Sequence, residues 1–257
     1  MRRREFLVTG ATATLMTSTN IVPLARTPVF RGPAIPRPTS IADVNKLTPP
    51  ADGSIPVAFA ISRGATMIDF AGPWEVFQDV MIPMKSQGSQ QGTQGHANHR
   101  MAFNLYTVSE KTEPIEASAG MKIIPDYTFE TAPAPKVVVI PAQAGSPALH
   151  AWLRKIVDST DVTMSVCTGA FQLGRAGLLT GKEATTHHEF FEQFAKAFPD
   201  VKLKRGLRFV ENEKISTAGG LTSGIDLALR VVERYFGRET ADQTAVYMEY
   251  QSKGWIV

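Results

Sequence analysis

Short apolar runs alternating with amphipathic stretches predict an α/β fold, a mostly parallel sheet sandwiched by helices. Three observations carry that expectation. Residues 137–140 read Val-Val-Val-Ile without a polar break, the pattern of a strand buried on both faces. Residues 55–61 form a second apolar run, and residues 162–166, Val-Thr-Met-Ser-Val, read as another strand. Between and after them, apolar residues recur at helical spacing. The chain has 257 residues, 43% hydrophobic and 20% charged, which suffices for a packed core and excludes a wholly disordered chain.

The chain opens with a segment that lies outside the domain. Arg2, Arg3 and Arg4 precede Phe6 and Leu7, and a moderately apolar stretch rich in Thr, Ala and Gly runs to about Val22. A basic region followed by an apolar one reads as an export leader. Its Arg-Arg-x-Phe-Leu arrangement, with Arg3 and Arg4 or Arg2 and Arg3 as the pair, resembles a twin-arginine signal, so residues 1–25 are expected to send the folded protein to the periplasm or beyond. Residues 26–54 hold Pro28, Pro33, Pro36, Pro38, Pro49 and Pro50, with Pro23 at the border. Proline lacks the N–H donor and fixes φ, so an extended linker is expected there. The domain proper is expected over residues 55–257.

Within that domain, residues 55–61 read as the first buried strand and 67–82 as a helix, with Pro73 near its start or at a kink. Residues 85–100, rich in Gly, Gln, Ser and His, read as a low-complexity loop. His96 and His99 lie in it without a visible third ligand and read as solvated. Strands follow at 103–109, as a pair around Ala119-Gly120, and at 137–141. A helix is expected at 147–158, a strand at 162–166, a helix at 169–176, a brief strand at 183–186 and a helix at 189–198. Two short strands flank Asn212, and helices close the chain at 224–236 and 240–250.

The charge balance narrows the partners. Net charge is +3, but residues 1–46 hold seven Lys/Arg against two acids, leaving 20 basic and 22 acidic side chains in the remainder. That balance gives no footprint for nucleic acid. No run approaches the roughly eighteen apolar residues of a spanning helix, so stable membrane insertion of the mature protein is not expected. The single cysteine, Cys167, precludes an intrachain disulfide and a multi-cysteine zinc site.

The sharpest local signal surrounds that cysteine. In Ser165-Val166-Cys167-Thr168-Gly169-Ala170 a buried strand ends and a helix begins at once. Small residues two before and two after let so tight a turn close, the cysteine version of a nucleophile elbow. The helix start adds positive potential, which is expected to lower the thiol pKa. The plain alternative is a small buried core cysteine.

From Val166 to Gly174, from Ala176 to Gly181 and from Ala184 to His187 the sequence resembles the ThiJ/PfpI family of the class I glutamine amidotransferase-like superfamily. Thr66-Met67-Ile68-Asp69-Phe70-Ala71-Gly72-Pro73-Trp74-Glu75-Val76-Phe77 is similar to the family's first helix, and residues 217–226 to its late Gly-rich loop. The nearest branch is that of isonitrile hydratase and the ligand-type domains of AraC-type regulators. The resemblance implies a flavodoxin-like fold with a cysteine nucleophile elbow. It also implies Cys167 as nucleophile and Asp69 as the carboxyl that donates or accepts the proton. A carboxyl beside a negative sulfur should have a raised pKa. A helix-cap role for Asp69 is the alternative. Thr168 stands where a protease-like branch has His; its hydroxyl and N–H are expected to stabilise substrate charge. His187 is expected either to relay a proton or to be structural. Gly72 and Pro73 are expected to shape the pocket wall, with Gln143, Ala144 and Gly169 as the remaining substrate-binding positions. Gln143-Ala144 replaces the family's usual Gly pair. Glu75 lies six residues beyond Asp69 on another helical face and is not expected to act as the acid.

The resemblance thus implies a small-molecule enzyme, a lyase or hydrolase, needing no metal or organic cofactor and forming a homodimer through helices near the elbow. Two other readings stand beside it. One is a non-catalytic ligand or redox-sensing module, since exposed low-pKa thiols oxidise readily. The other is a glyoxalase- or deglycase-like enzyme, for which Glu is usual at the Asp69 position.

Overall fold

The structure, a computed structural model, describes residues 46–51, 53–83 and 99–257. The leader expected over 1–25, most of the linker and the loop with His96 lie outside them. In chain order the first elements are β1 (Ile55–Ala60), α1 (Met67–Gln78), β2 (Met81–Pro83), β3 (His99–Met101) and β4 (Phe103–Ser109). Next come β5 (Ile115–Glu116), β6 (Lys122–Ile123), β7 (Tyr127–Thr128), β8 (Val137–Ile140), α2 (Pro147–Ile156) and β9 (Val162–Ser165). Then follow α3 (Ala170–Arg175), β10 (Glu183–Ala184), α4 (Phe191–Ala197), β11 (Lys202–Leu203) and β12 (Phe209–Glu211). The last are β13 (Ile215–Ala218), α5 (Ser223–Phe236) and α6 (Arg238–Tyr247).

Seven strands make the central sheet in the order β12-β13-β9-β8-β1-β4-β7. All neighbours are parallel except β12 and β13. β1 lies between β4 and β8, with Val57 opposite both Leu105 and Val137. The pleat divides its side chains between two cores. Val57 and Phe59 enter a core closed by α1, α5 and α6, whereas Ala58 and Ala60 enter one closed by α2, α3 and α4. β8 has no exposed residue, as its unbroken apolar run requires. This is the helix-sheet-helix sandwich expected.

Local chemistry sets the boundaries. Ser146 caps α2, its Oγ accepting from the Leu149 N–H at 3.1 Å, with Pro147 at the first helical position. The end of the linker is pinned: Leu47 packs on the core, and its N–H donates to the Arg234 carbonyl at 2.9 Å.

One expectation about α1 needs correction. The helix stops at Gln78, and residues 81–83 form a hairpin strand with β3 instead of its last turn. Pro83 disfavours helical geometry at Ile82, and Val80 and Ile82 are β-branched. Pro73 sits inside the helix, the second of the two expected placements, so the Asp69 carbonyl lacks the N–H it would otherwise bind four residues on.

Candidate active site

Parallel strands run their carboxyl ends to one edge of the sheet, and Cys167 stands at that edge just after β9. Residues 167–169 form one 3₁₀ turn before α3. Cys167 has a φ of +58°, a conformation that costs a side-chain-bearing residue about 1–3 kcal/mol. Hydrogen bonds on both sides hold it there. Its N–H donates to the Gly219 carbonyl at 2.8 Å. Its carbonyl accepts from the Thr186 hydroxyl at 2.9 Å. The turn lies flat on the end of β8: the Val166 N–H donates to the Ile140 carbonyl at 2.9 Å. A Cβ on Gly169 would lie 2.2 Å from that same oxygen, so Gly169 serves closure of the turn.

The thiol is only 8% exposed. The N–H groups of Thr168 and Leu221 both approach its sulfur and favour the thiolate, short of fully aligned bonds. Burial first, and the neighbouring Asp69 charge second, oppose them and push the thiol up to about 11. The expectation of a lowered thiol pKa is therefore corrected. The positive end of a six-residue helix is weaker than desolvation in this crevice.

Asp69 lies in the first turn of α1 and is completely buried. The cap position belongs to Thr66, so Asp69 is not a helix cap. Its Oδ2 accepts from the Ala142 N–H at 3.1 Å. The Cys167 thiol also stabilises the carboxylate, but short of a fully aligned bond, and Oδ1 is left without a hydrogen-bond partner. Burial outweighs these and raises the carboxyl to about 7. The two acids titrate as a coupled pair.

The other expected residues fall around this pair in different ways. Thr168 turns its N–H toward the sulfur itself rather than to a separate pocket. The His187 ring packs on Gly220, where a Cβ would lie 2.3 Å from its Cδ2. Its Nδ1 accepts from the Glu189 N–H at 3.3 Å, which leaves Nε2 to carry the proton of the neutral ring. His188 stacks on it at 4.5 Å. Gly72 and Pro73 face the seam between α1 and α5 instead of open space: a Cβ on Gly72 would meet Ile225 at 2.8 Å, and Pro73 lies against Gly224. Glu75 is exposed.

Gln143 and Ala144 have structural duties. The Gln143 side chain accepts from the Ser62 N–H and donates to the Ala60 carbonyl at 2.8 Å, tying its loop to the end of β1. The Ala142 N–H is held by Asp69, and the Ala144 N–H donates to the Arg63 carbonyl at 3.0 Å. These two N–H groups are therefore spent within the fold. Ala144 does border a cleft of about 540 Å³ with Arg63, Lys111, Glu113 and Phe129, but Cys167 is not in its wall.

Sequence reasoning missed Leu221, Thr186 and Gln172. Gln172 is buried and donates to the Gln143 carbonyl at 2.9 Å, shaping the loop from below. Among the described residues no three His, Cys, Asp or Glu side chains are grouped to hold a metal ion, and no helix is long and apolar enough to cross a membrane.

The chain matches the DJ-1/PfpI family over residues 56–234 and belongs to it. It is 34% identical over 152 residues to the isonitrile hydratase of Pseudomonas putida, an alignment that takes in 57% of this chain and 65% of that enzyme. It is 31% identical over 153 residues to the HTH-type transcriptional regulator CdhR of Pseudomonas aeruginosa, covering 57% of this chain and 45% of the regulator. Less than two thirds of either relative is therefore spanned. A ThiJ/PfpI family protein from Pseudomonas syringae superposes with a TM-score of 0.64 at 25% identity, covering 85% of this chain and 83% of that one. Drosophila melanogaster DJ-1beta shares the fold, with a TM-score of 0.63 at 16% identity over 78% of this chain and all of that one.

Proposed function

We propose that this protein is a cysteine-dependent enzyme acting on a small molecule, with isonitrile hydration as the activity to test first. The observation that carries the reading is the Cys167–Asp69 pair. A strained, nearly closed-off thiol stands beside a buried carboxyl that has one unpartnered oxygen and titrates near neutrality. The identity to isonitrile hydratase supports the choice of substrate class.

The chemistry balances with these two groups and water. Ionised Asp69 takes the thiol proton as sulfur bonds to the terminal carbon of R–N≡C. It then returns that proton to the carbon, leaving the thioimidate R–N=CH–S–Cys167. Water adds to this carbon, and one of its protons passes to nitrogen. Collapse breaks the C–S bond, the remaining proton returns to sulfur, and R–NH–CHO leaves. Formation of the N-substituted formamide, followed by NMR, tests the proposal. Cys167→Ala should abolish it; formamide released at an undiminished rate by that variant would sink the reading.

One observation favours a second reading, a non-catalytic ligand-binding module. A thiol held protonated is a slow nucleophile at neutral pH, and a regulator is among the relatives. Absence of turnover on both isonitriles and glyoxals would select it, whereas a reversible response of Cys167 to peroxide would mark the redox-sensing alternative, which needs a more acidic thiol. Turnover of glyoxals alone would select the deglycase-like alternative.

Export belongs to the proposal and rests on the Arg-Arg-x-Phe-Leu pattern at residues 3–7. Replacing all three arginines together, Arg2→Lys, Arg3→Lys and Arg4→Lys, should retain the protein in the cytoplasm on fractionation. A homodimer, drawn from the family resemblance, would appear as twice the chain mass in light scattering.

A further inference from the structure

We propose that Arg208 is a positioning residue for the Cys167 site, acting through the 219–222 turn that brings the Leu221 N–H to the sulfur. The inference builds on the reading of Cys167 as a reactive thiol, but its test does not need turnover.

Arg208 holds both ends of that turn. Its carbonyl accepts from the Gly219 N–H at 2.9 Å, and the Gly219 carbonyl in turn accepts from the Cys167 N–H at 2.8 Å. Its guanidinium reaches the far end, Nη2 donating to the Thr222 hydroxyl at 3.3 Å. Between these anchors Leu221 is held at a φ of +52° with its side chain 43% exposed. No packed side chain explains that conformation, and a leucine keeps it only where the surroundings over-determine it.

The guanidinium is itself fixed. Nε and Nη2 both engage Oδ2 of Asp226, which is completely buried in the first turn of α5. The hydroxyls of Tyr250 and Ser252 donate to Oδ1 of the same carboxylate at 3.2 and 3.0 Å. The Tyr250 hydroxyl also lies 3.4 Å from the Thr222 carbonyl, the weaker of the two acceptors for its one proton. The chain end thereby closes a polar clasp over the outer side of the turn, while its inner side faces the nucleophile. A planar fork can serve Asp226 and Thr222 together; a lysine ammonium on a flexible stem does not hold that geometry.

Arg208→Lys and the milder Thr222→Val test this, with Arg230→Gln as control. Arg230, on α5 like Asp226, pairs with Glu211 of β12 and with Glu233 and, among the described residues, makes no bond to the turn. Two quantities are read: hydrogen exchange at the Leu221 amide, and the pH midpoint of Cys167 alkylation by iodoacetamide. Arg208→Lys and Thr222→Val should speed Leu221 exchange at least about tenfold and move the midpoint up by about one pH unit, since one donor to a charged sulfur is weakened. Arg230→Gln should lower the Tm and change neither. Unchanged Leu221 exchange in both test variants, or an equal effect of Arg230→Gln, overturns the positioning role. A wild-type thiol inert at every pH overturns the catalytic reading instead, and Leu221 exchange then decides the positioning role alone.

Discussion

Asp69 and Asp226 each sit in the first turn of a helix, and neither exposes any surface. Their surroundings differ in every other respect. Asp226 receives the Arg208 guanidinium on one oxygen and two hydroxyls on the other. Asp69 receives one backbone N–H, no cation acts on it, and one oxygen has no partner. A buried carboxylate neutralised and saturated with donors is a structural rivet. One left short of donors stays close to its proton, and such a group is useful for moving protons. The contrast separates the two sides of the 219–222 turn, one built to stay still and the other to react.

The comparison breaks most visibly at Asp69. Asp69→Asn keeps an acceptor for the Ala142 N–H but removes the proton carrier, so turnover should fall by about 10²–10⁴. Stability should move the opposite way. The folded protein holds the Asp69 proton up to about 7, against 3.8 for an ordinary Asp. Between those values the native state binds more protons than the unfolded chain, so this group's contribution to stability declines as pH rises and levels off above about 7. Asp69→Asn should remove that decline and make the protein more stable at pH 8, by up to about 4 kcal/mol. Urea unfolding at pH 4 and pH 8 reads both effects. A variant less stable than wild type at pH 8 would mean that the carboxylate is well solvated there after all. The thiol provides a cross-check: without the Asp69 charge its alkylation midpoint should fall, so reactivity rises while turnover is lost.

Asp226→Asn is the counterpart and should have the reverse sign. It leaves the guanidinium, 25% exposed, facing a neutral amide, and should cost about 2–3 kcal/mol at neutral pH. Thermal melts of the two aspartate variants at pH 8 should therefore fall on opposite sides of wild type. Gly169→Ala should cost somewhat less, about 2 kcal/mol, because its Cβ meets the rigid end of β8 rather than a yielding side chain. Its alkylation rate should change as well, since the turn that carries Cys167 must lift off the Ile140 carbonyl.

The same contrast explains what was legible in the sequence. The central strands were, because a strand buried on both faces writes itself as a run such as Val137–Ile140. The turn at Cys167 was, because only small residues close it, and Gly169 shows that constraint directly. Asp69 came through the family resemblance. The hairpin of β2 and β3 was not legible, because Met81 and Ile82 continue the apolar spacing of α1 and only Pro83 argues against it. Leu221 escaped notice because its contribution is a backbone N–H, which any residue but proline possesses. The clasp of Arg208, Asp226, Tyr250 and Ser252 joins residues more than forty positions apart, and no spacing rule connects them. The direction of the thiol pKa is not legible for a related reason: a helix start is local and visible, whereas desolvation depends on every layer that closes over the sulfur.

The smallest expected effect concerns backbone strain. Comparing Cys167→Ala with Cys167→Gly removes the thiol from both variants, so their difference reports the φ of +58°. At an ordinary site the glycine variant is the weaker of the two, by about 0.4–1 kcal/mol, because its unfolded chain has more freedom to lose. Left-handed geometry costs alanine about 1–2 kcal/mol and glycine almost nothing. The two effects oppose, and the strain is the larger, so Cys167→Gly should be more stable than Cys167→Ala by about 0.5 kcal/mol in urea midpoints. The ordinary order, alanine above glycine, would show that position 167 relaxes once the sulfur is gone. The strain would then belong to the contacts of the thiol with Thr168, Leu221 and Asp69, rather than to the turn held by Gly219 and Thr186.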